Sequence, residues 1–237
     1  NGTVLYVFGA AAANLAVPLD SGGIPIRIIF TVDAMSAFMD IICAIVGVSV
    51  LLYTLSAESR NSGLEGYYTL FFLMIAGVFG MVSTGDFFNF FVFLEILSLA
   101  SAGMIAYRID GGLAVEAALK YFILSTLGAI LVLFAIGIYY GQYDALNIAM
   151  IAQRMQYTML DKIALVLLIA ALAMKCGAVP MHFWTPDAYS MAPSSVTAFL
   201  VVASQASLYG LFRVVFTLYN ITLNCVTVGW VIIILGV

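Results

Sequence analysis

Residues 175–189 have the sequence KCGAVPMHFWTPDAY, which combines a charged residue with several helix-breaking residues. Its first residue, Lys175, follows a dense apolar run, and an ammonium group inside a hydrocarbon layer costs about 3 kcal/mol or more, so it points to a function. Gly177, Pro180 and Pro186 come next, and a proline removes a backbone donor and clashes with the preceding helical turn. We therefore predict a membrane helix that breaks beside a functional lysine, an arrangement typical of an ion path.

Composition sets the class of protein. The chain of 237 residues is 65% hydrophobic and only 8% charged, with a mean hydropathy of +1.15, which is more apolar surface than a water-soluble domain can bury. The net charge is -4 and the basic residues are scattered, so the sequence argues against nucleic acid as a partner. We predict an all-α, polytopic integral membrane protein whose surroundings are the lipid bilayer and other membrane subunits.

Apolar segments recur along the whole chain, most of them close to the roughly 20 residues that span a bilayer. We expect about eight of them in one membrane domain, with a break near residues 177–186 and Asp86 as the cap of the fourth. Both ends of the chain lie in apolar sequence, so we expect a fragment of a longer protein. The predicted segments are 3–19, 33–55, 67–82, 87–107, 113–140, 159–191 (the broken one), 193–219 and 223–237.

The cysteines and glycines argue against bound cofactors. Cys43, Cys176 and Cys225 are isolated, with neither a CxxC pair nor a Cys/His spacing, which argues against a metal site, an iron–sulfur cluster or a disulfide framework. A glycine-rich turn after a strand, as a dinucleotide requires, does not occur in the sequence. We therefore predict no metal, no cofactor and no catalytic residue.

Glu95 is the second charge placed within an apolar segment. Ser98 and Ala102 follow it at i+3 and i+7, which gives a small, slightly polar seam that can face another helix. A buried carboxylate and the ammonium of Lys175 would each favour the charged form of the other. A pair whose distance or hydration changes is therefore a proton switch. The alternative is a structural ion pair that holds two helices together.

Lys120 and His182 have both functional and ordinary interpretations. Lys120 has Glu116 at i−4, so a simple helix pair near the membrane surface explains it as well as a role in transport does. His182 is the only histidine of the chain. It can relay protons, or it can bond carbonyls that the helix break leaves free.

Gln205, Tyr209 and Arg213 recur at i, i+4 and i+8 on the segment after the break, with Ser204 and Ser207 alongside. This spacing predicts one polar stripe on a helix. The stripe lines a wet path or packs against a neighbouring subunit, and Tyr209 and Arg213 are also suited to anchor the helix end at the membrane surface.

Several stretches together resemble the antiporter-like subunits of respiratory complex I, of Mrp-type sodium/proton antiporters and of energy-converting membrane hydrogenases. The glutamate, the lysine before the break and the PxHxWxPD-like run occur in the order and spacing of that family. The complex I subunit of the N type is the branch it resembles most. The resemblance covers residues 67–219 well and rests on residues 86–98, 116–125, 175–193 and 196–213.

The resemblance implies a subunit of about fourteen helices in two inverted halves, each with a broken helix and a half-channel. This chain would contain one half-channel. Glu95 would be the carboxylate that tunes Lys175, and Lys120 would connect neighbouring units. The family usually has a further lysine where this chain has Gln205, and a glutamine does not take up a proton at accessible pH.

The glutamine at position 205 leaves two interpretations of this half-channel open. Protons continue through water beside Gln205, Ser204 and His182, or this half-channel is impaired. We expect a proton- or cation-translocating subunit of a redox-driven complex, either NADH/quinone oxidoreductase-like or membrane hydrogenase-like, that is not itself the redox-active subunit. The alternatives are an Mrp-type Na+/H+ antiporter subunit and a scaffold that does not pump. We expect it in a prokaryotic cytoplasmic membrane, and the sequence leaves proton or Na+ open.

Overall fold

The computed structural model describes residues 30–57, 64–107 and 112–219. The first and last predicted segments, 3–19 and 223–237, lie outside these residues. Within the described ranges the chain is all helical, with isolated bridges at Phe30–Thr84 and Asp86–Asn147 as its only β pairings. The helices are α1 Ala34–Ala57, α2 Leu64–Ser83, α3 Phe87–Ile105, α4 Gly112–Tyr143, α5 Ile148–Arg154, α6 Met159–Cys176, α7 Trp184–Met191 and α8 Ser194–Tyr219.

Five of these helices, α1 to α4 and α8, are long and apolar enough to cross a membrane. Helix α6 is not among them, because Asp161, Lys162 and Lys175 make it more charged. The all-α, polytopic fold class predicted from the sequence is confirmed.

Helices α2 and α3 approach each other closely at two glycines of α2. A Cβ atom placed on Gly77 would lie 2.9 Å from the Cβ of Leu97, and one placed on Gly80 would lie 2.2 Å from the ring of Phe93. Small residues at a crossing allow two backbones to approach in this way. The contact fixes the rotation of α3, the helix that carries Glu95.

The helix ends follow from local hydrogen bonds. Asp86 caps α3 as predicted, because its carboxylate accepts from the backbone N–H of Asn89 at 3.0 Å. At the start of α6, Thr158 and Asp161 form a capping box. These caps define where α3 and α6 begin, and both helices run from them toward the candidate site.

The predicted helix break is confirmed. Helix α6 ends at Cys176, and Gly177 follows with a φ of 78°, a left-handed conformation that glycine adopts without steric cost. The turn that follows leads into the short helix α7. The indole N–H of Trp184 donates to the carbonyl of Met174 at 3.0 Å and so satisfies one acceptor in the last turn of α6.

Candidate functional site

Lys175 lies in the last turn of α6 with only 5% of its side chain exposed. Its ammonium group donates to the Ser98 hydroxyl on α3 at 2.5 Å and to the Ser125 hydroxyl on α4 at 2.6 Å. The stem of the lysine passes Gly128 of α4, where an added Cβ would be 3.5 Å from Cε. One lysine therefore joins three helices through hydroxyl groups.

Glu95 lies on α3, one turn before Ser98. Its Oε1 atom is 3.9 Å from Nζ of Lys175, and 26% of its side chain is exposed. This oxygen is buried and has no hydrogen-bond partner among the described residues. At this distance a charged pair attracts by about 4 kcal/mol for an effective dielectric constant near 20, and removal of both charges from water opposes that gain. The lysine is thus held by neutral hydroxyls, with the carboxylate acting on it through space.

A small cavity lined in part by Lys175 lies between α3, α4, α6, α7 and α8. Its volume is about 10 Å³, measured as the space open to the centre of a water molecule, which is close to the minimum that one water requires. Apolar side chains, among them Leu94 and Leu200, form part of its wall. Its polar lining is Ser98, Tyr121, Lys175, Trp184, Ser204 and Ser207.

Lys120 belongs to a separate, exposed charge cluster on α4. Its ammonium is 2.8 Å from Glu116 on the same helix and 2.8 Å from Asp187 on α7. The neighbouring Tyr121 points inward and packs edge-on against Trp184, with ring centroids 5.0 Å apart. Lys120 therefore ties the segment after the helix break to α4.

His182 and Gln205 are placed differently from the cavity residues. Both are exposed, and neither is among the residues that line the cavity. The donor to the freed carbonyl of Met174 is Trp184. On α8, the buried polar residues that line the cavity are Ser204 and Ser207.

The Gln205, Tyr209 and Arg213 stripe does not share one environment. Tyr209 is buried, and its hydroxyl donates to the carbonyl of Val82 at 3.2 Å. Arg213 forms an ion pair with Asp33 and also donates to the Tyr209 hydroxyl. The C-terminal part of the stripe, Tyr209 and Arg213, therefore anchors α8 within the bundle.

Two contributors to this arrangement were not singled out from the sequence. Ser125 is one more hydroxyl in an apolar helix, with no spacing relation to Lys175. Asp187 ends the PxHxWxPD-like run, and its partner Lys120 is 67 residues away in the sequence. Within the part of the chain that the structure describes, no group of three or more His, Cys, Asp and Glu side chains could hold a metal.

Comparison with known proteins adds the family. A model of the family described as "NADH:quinone oxidoreductase/Mrp antiporter, TM" matches residues 84–237. Subunit N of the NADH-quinone oxidoreductase of Desulforudis audaxviator is 36% identical over 198 residues, which are 81% of this chain and 39% of that protein.

Solved structures of large membrane complexes contain the same fold. A chain of the membrane-bound sulfane sulfur reductase, an archaeal respiratory membrane complex, matches with a TM-score of 0.76 and 30% identity over 86% of this chain and 42% of that one. A chain of the Mrp complex from Dietzia sp. DQ12-45-1b matches with a TM-score of 0.75 and 26% identity over 92% and 39%. The chain spans less than half the length of each of these relatives. These matches confirm the resemblance seen in the sequence, and the chain belongs to the NADH:quinone oxidoreductase/Mrp antiporter family of integral membrane subunits.

Proposed function

We propose that this chain is the part of a proton-translocating, antiporter-like subunit that contains one half-channel, with Lys175 as the group that carries the proton. The observation that carries the proposal is a buried lysine at the end of a broken helix, with Glu95 3.9 Å away and a water-sized cavity beside it. A buried ionisable residue in a membrane protein is a functional site by default.

The mechanism that we propose is electrostatic. The carboxylate of Glu95 favours the charged form of Lys175, and the benefit decreases as the distance between them grows. A partner subunit that moves α3 relative to α6, or changes the hydration of the cavity, would shift the proton affinity of the lysine. Lys175 would then take up a proton with Glu95 close and release it with Glu95 further away.

The energy for this cycle would come from partner subunits. The sequence relative named above belongs to an NADH-quinone oxidoreductase, so electron transfer from NADH to quinone is the driving reaction that we favour. Lys120 would connect this half-channel electrostatically with a neighbouring unit, while the redox centres would lie in other subunits. The complex would lie in a prokaryotic cytoplasmic membrane.

The test uses the full-length subunit in its assembled complex, in inverted membrane vesicles supplied with NADH. The variant is Lys175→Met, and the matched control is Lys162→Met, which removes an exposed lysine from the same helix. Proton uptake and NADH oxidation are measured in the same vesicles, and assembly is checked on a native gel. We expect fewer protons per NADH in Lys175→Met only. An unchanged ratio in that variant would show that this half-channel does not pump.

The Mrp relationship supports a second candidate, exchange of Na+ for protons without any redox reaction. A sodium gradient imposed on the same vesicles without NADH separates the two functions. Proton movement that depends on the gradient and on Lys175 would favour the antiporter. Its absence, together with NADH-driven pumping, would favour the redox-driven subunit.

A further inference from the structure

Among the hydroxyls that line the Lys175 cavity, Ser204 has a distinct set of partners. Its oxygen donates to the carbonyl of Val201 at 2.9 Å and accepts from the phenol of Tyr189 at 3.2 Å. Tyr189 lies on α7, outside the cavity lining, and is half-buried. The phenol of Tyr189 also lies 3.4 Å from the carbonyl of Leu200. Within the described residues, the other cavity hydroxyls have partners inside the bundle: Ser98 bonds Lys175 and its own helix, Ser207 bonds its own helix at Ala203, and Tyr121 interacts with Ser98 and Ser125.

We infer that the proton enters or leaves the Lys175 cavity through Ser204 and the hydroxyl of Tyr189. This inference rests on the proposed function of Lys175. It assigns to this pair of hydroxyls the connection that the sequence leads one to seek at Gln205. Ser204 is buried and faces the cavity, whereas Gln205, the next residue on the helix, is exposed.

The chemistry of the route requires only groups that both donate and accept. A hydroxyl has one O–H donor and two acceptor lone pairs. In the uptake direction, Tyr189 passes to Ser204 the proton that it already donates and regains one from outside the cavity. The O–H of Ser204 turns from the carbonyl of Val201 to a water in the cavity and gives that water its proton, and the water passes one of its own protons to the neutral amine of Lys175. Each O–H or N–H bond that forms is matched by one that breaks, and release requires both hydroxyls to turn first and donate in the opposite direction.

The cavity beside Lys175 has room for about one water molecule. A proton needs only that water and the hydroxyl oxygen atoms already in place to move along this route.

The decisive comparison is Ser204→Val against Ser204→Thr in the full-length subunit within its complex. Valine and threonine fill nearly the same space and differ in the hydroxyl, so packing changes affect both alike. Tyr189→Phe removes the second hydroxyl and keeps the ring. Gln205→Leu is the control on the neighbouring, exposed position. Protons per NADH are measured in inverted vesicles alongside Lys175→Met.

We expect the ratio to fall by more than half in Ser204→Val and in Tyr189→Phe, and to stay near wild type in Ser204→Thr and Gln205→Leu. If Lys175→Met stops pumping while Ser204→Val and Tyr189→Phe do not, the route is wrong and the proposed function stands. The route is also wrong if Ser204→Thr pumps as poorly as Ser204→Val. If Lys175→Met pumps normally, the proposed function and the route fail together. Should Ser204→Val not assemble, the isosteric Tyr189→Phe decides by the same criterion.

Discussion

Lys175 and Lys120 show how the same residue type differs with its surroundings. Lys175 is buried, donates to neutral hydroxyls and has its carboxylate 3.9 Å away. Lys120 has 45% of its side chain exposed and contacts Glu116 and Asp187 at 2.8 Å. An exposed lysine in direct contact with two carboxylates contributes little to stability, and both carboxylates favour its charged form. The buried lysine has no carboxylate in hydrogen-bond contact, and it is the one to which the proposed mechanism assigns the change of charge.

The substitution Glu95→Gln tests whether the negative charge of Glu95 acts on Lys175. The substitution keeps the shape of the side chain and removes its charge, and Oε1 has no hydrogen bond among the described residues to lose. We expect the complex to assemble normally and the number of protons per NADH to fall to less than half, because the ammonium of Lys175 loses its nearest counter-charge.

Glu116→Gln is the control, since it makes the same change at an exposed carboxylate of the Lys120 cluster. The two variants are compared in the same vesicles, with assembly followed on native gels. Equal pumping in both would show that the field of Glu95 does not act on the transported proton.

At the scale of single elements, the break depends on Gly177. An alanine there would have to adopt a φ of 78°, and its Cβ would lie 2.7 Å from the hydroxyl of Thr185. The conformation alone costs about 1–2 kcal/mol for a residue other than glycine. We expect Gly177→Ala to lower the thermal unfolding midpoint of the purified complex measurably.

Gly137→Ala provides the matched control for that experiment. This glycine lies within α4 and has no atom within 4 Å of an added Cβ, and alanine is the better helix former by about 1 kcal/mol. We expect no loss of stability there. A similar drop in both variants would mean that the left-handed conformation at Gly177 contributes nothing specific.

We expect the ion pair between Asp187 and Lys120 to stabilise the short helix α7 against local unfolding. Asp187→Asn weakens the contact between α7 and Lys120 of α4, whereas Glu116→Gln weakens a contact within α4 alone. We expect faster hydrogen–deuterium exchange in peptides that cover residues 184–191 for the first variant only. Exchange that is unchanged in both would show that Trp184 and its packing hold α7 in place without the ion pair.

At the scale of the whole molecule, an ion pair near the end of the bundle joins distant parts of the chain. Arg213 of α8 pairs with Asp33, just before α1, and also donates to Thr31. Exchange of the two charges tests whether the pair specifies the assembly. We expect Asp33→Arg and Arg213→Asp each to lower the amount of assembled complex on a native gel, and the double variant to recover part of it. Losses that simply add would show that the two residues act independently.

The sequence predicts the fold better than it predicts the site. Long apolar segments and the Gly177 and Pro180 signals have direct physical consequences, and the helices and the break confirm them. Lys175 and Glu95 were identifiable because a charge in an apolar run is costly. Ser125 was not, because a hydroxyl in such a helix is cheap and its partner Lys175 is 50 residues away. Ser204 and Gln205 are consecutive residues of α8, and only tertiary packing decides which of the two faces the cavity.

The pair of serines around Lys175 also affects its neutral form. As an ammonium group, the lysine donates to Ser98 and Ser125. After a proton leaves, the amine has a free lone pair, and either hydroxyl can turn and donate to it, since a serine is both donor and acceptor. A carboxylate in place of either serine can only accept, so it could not donate to that lone pair. The lysine therefore has a hydrogen-bond partner in both charge states, so loss of its proton does not by itself leave a buried amine unpaired.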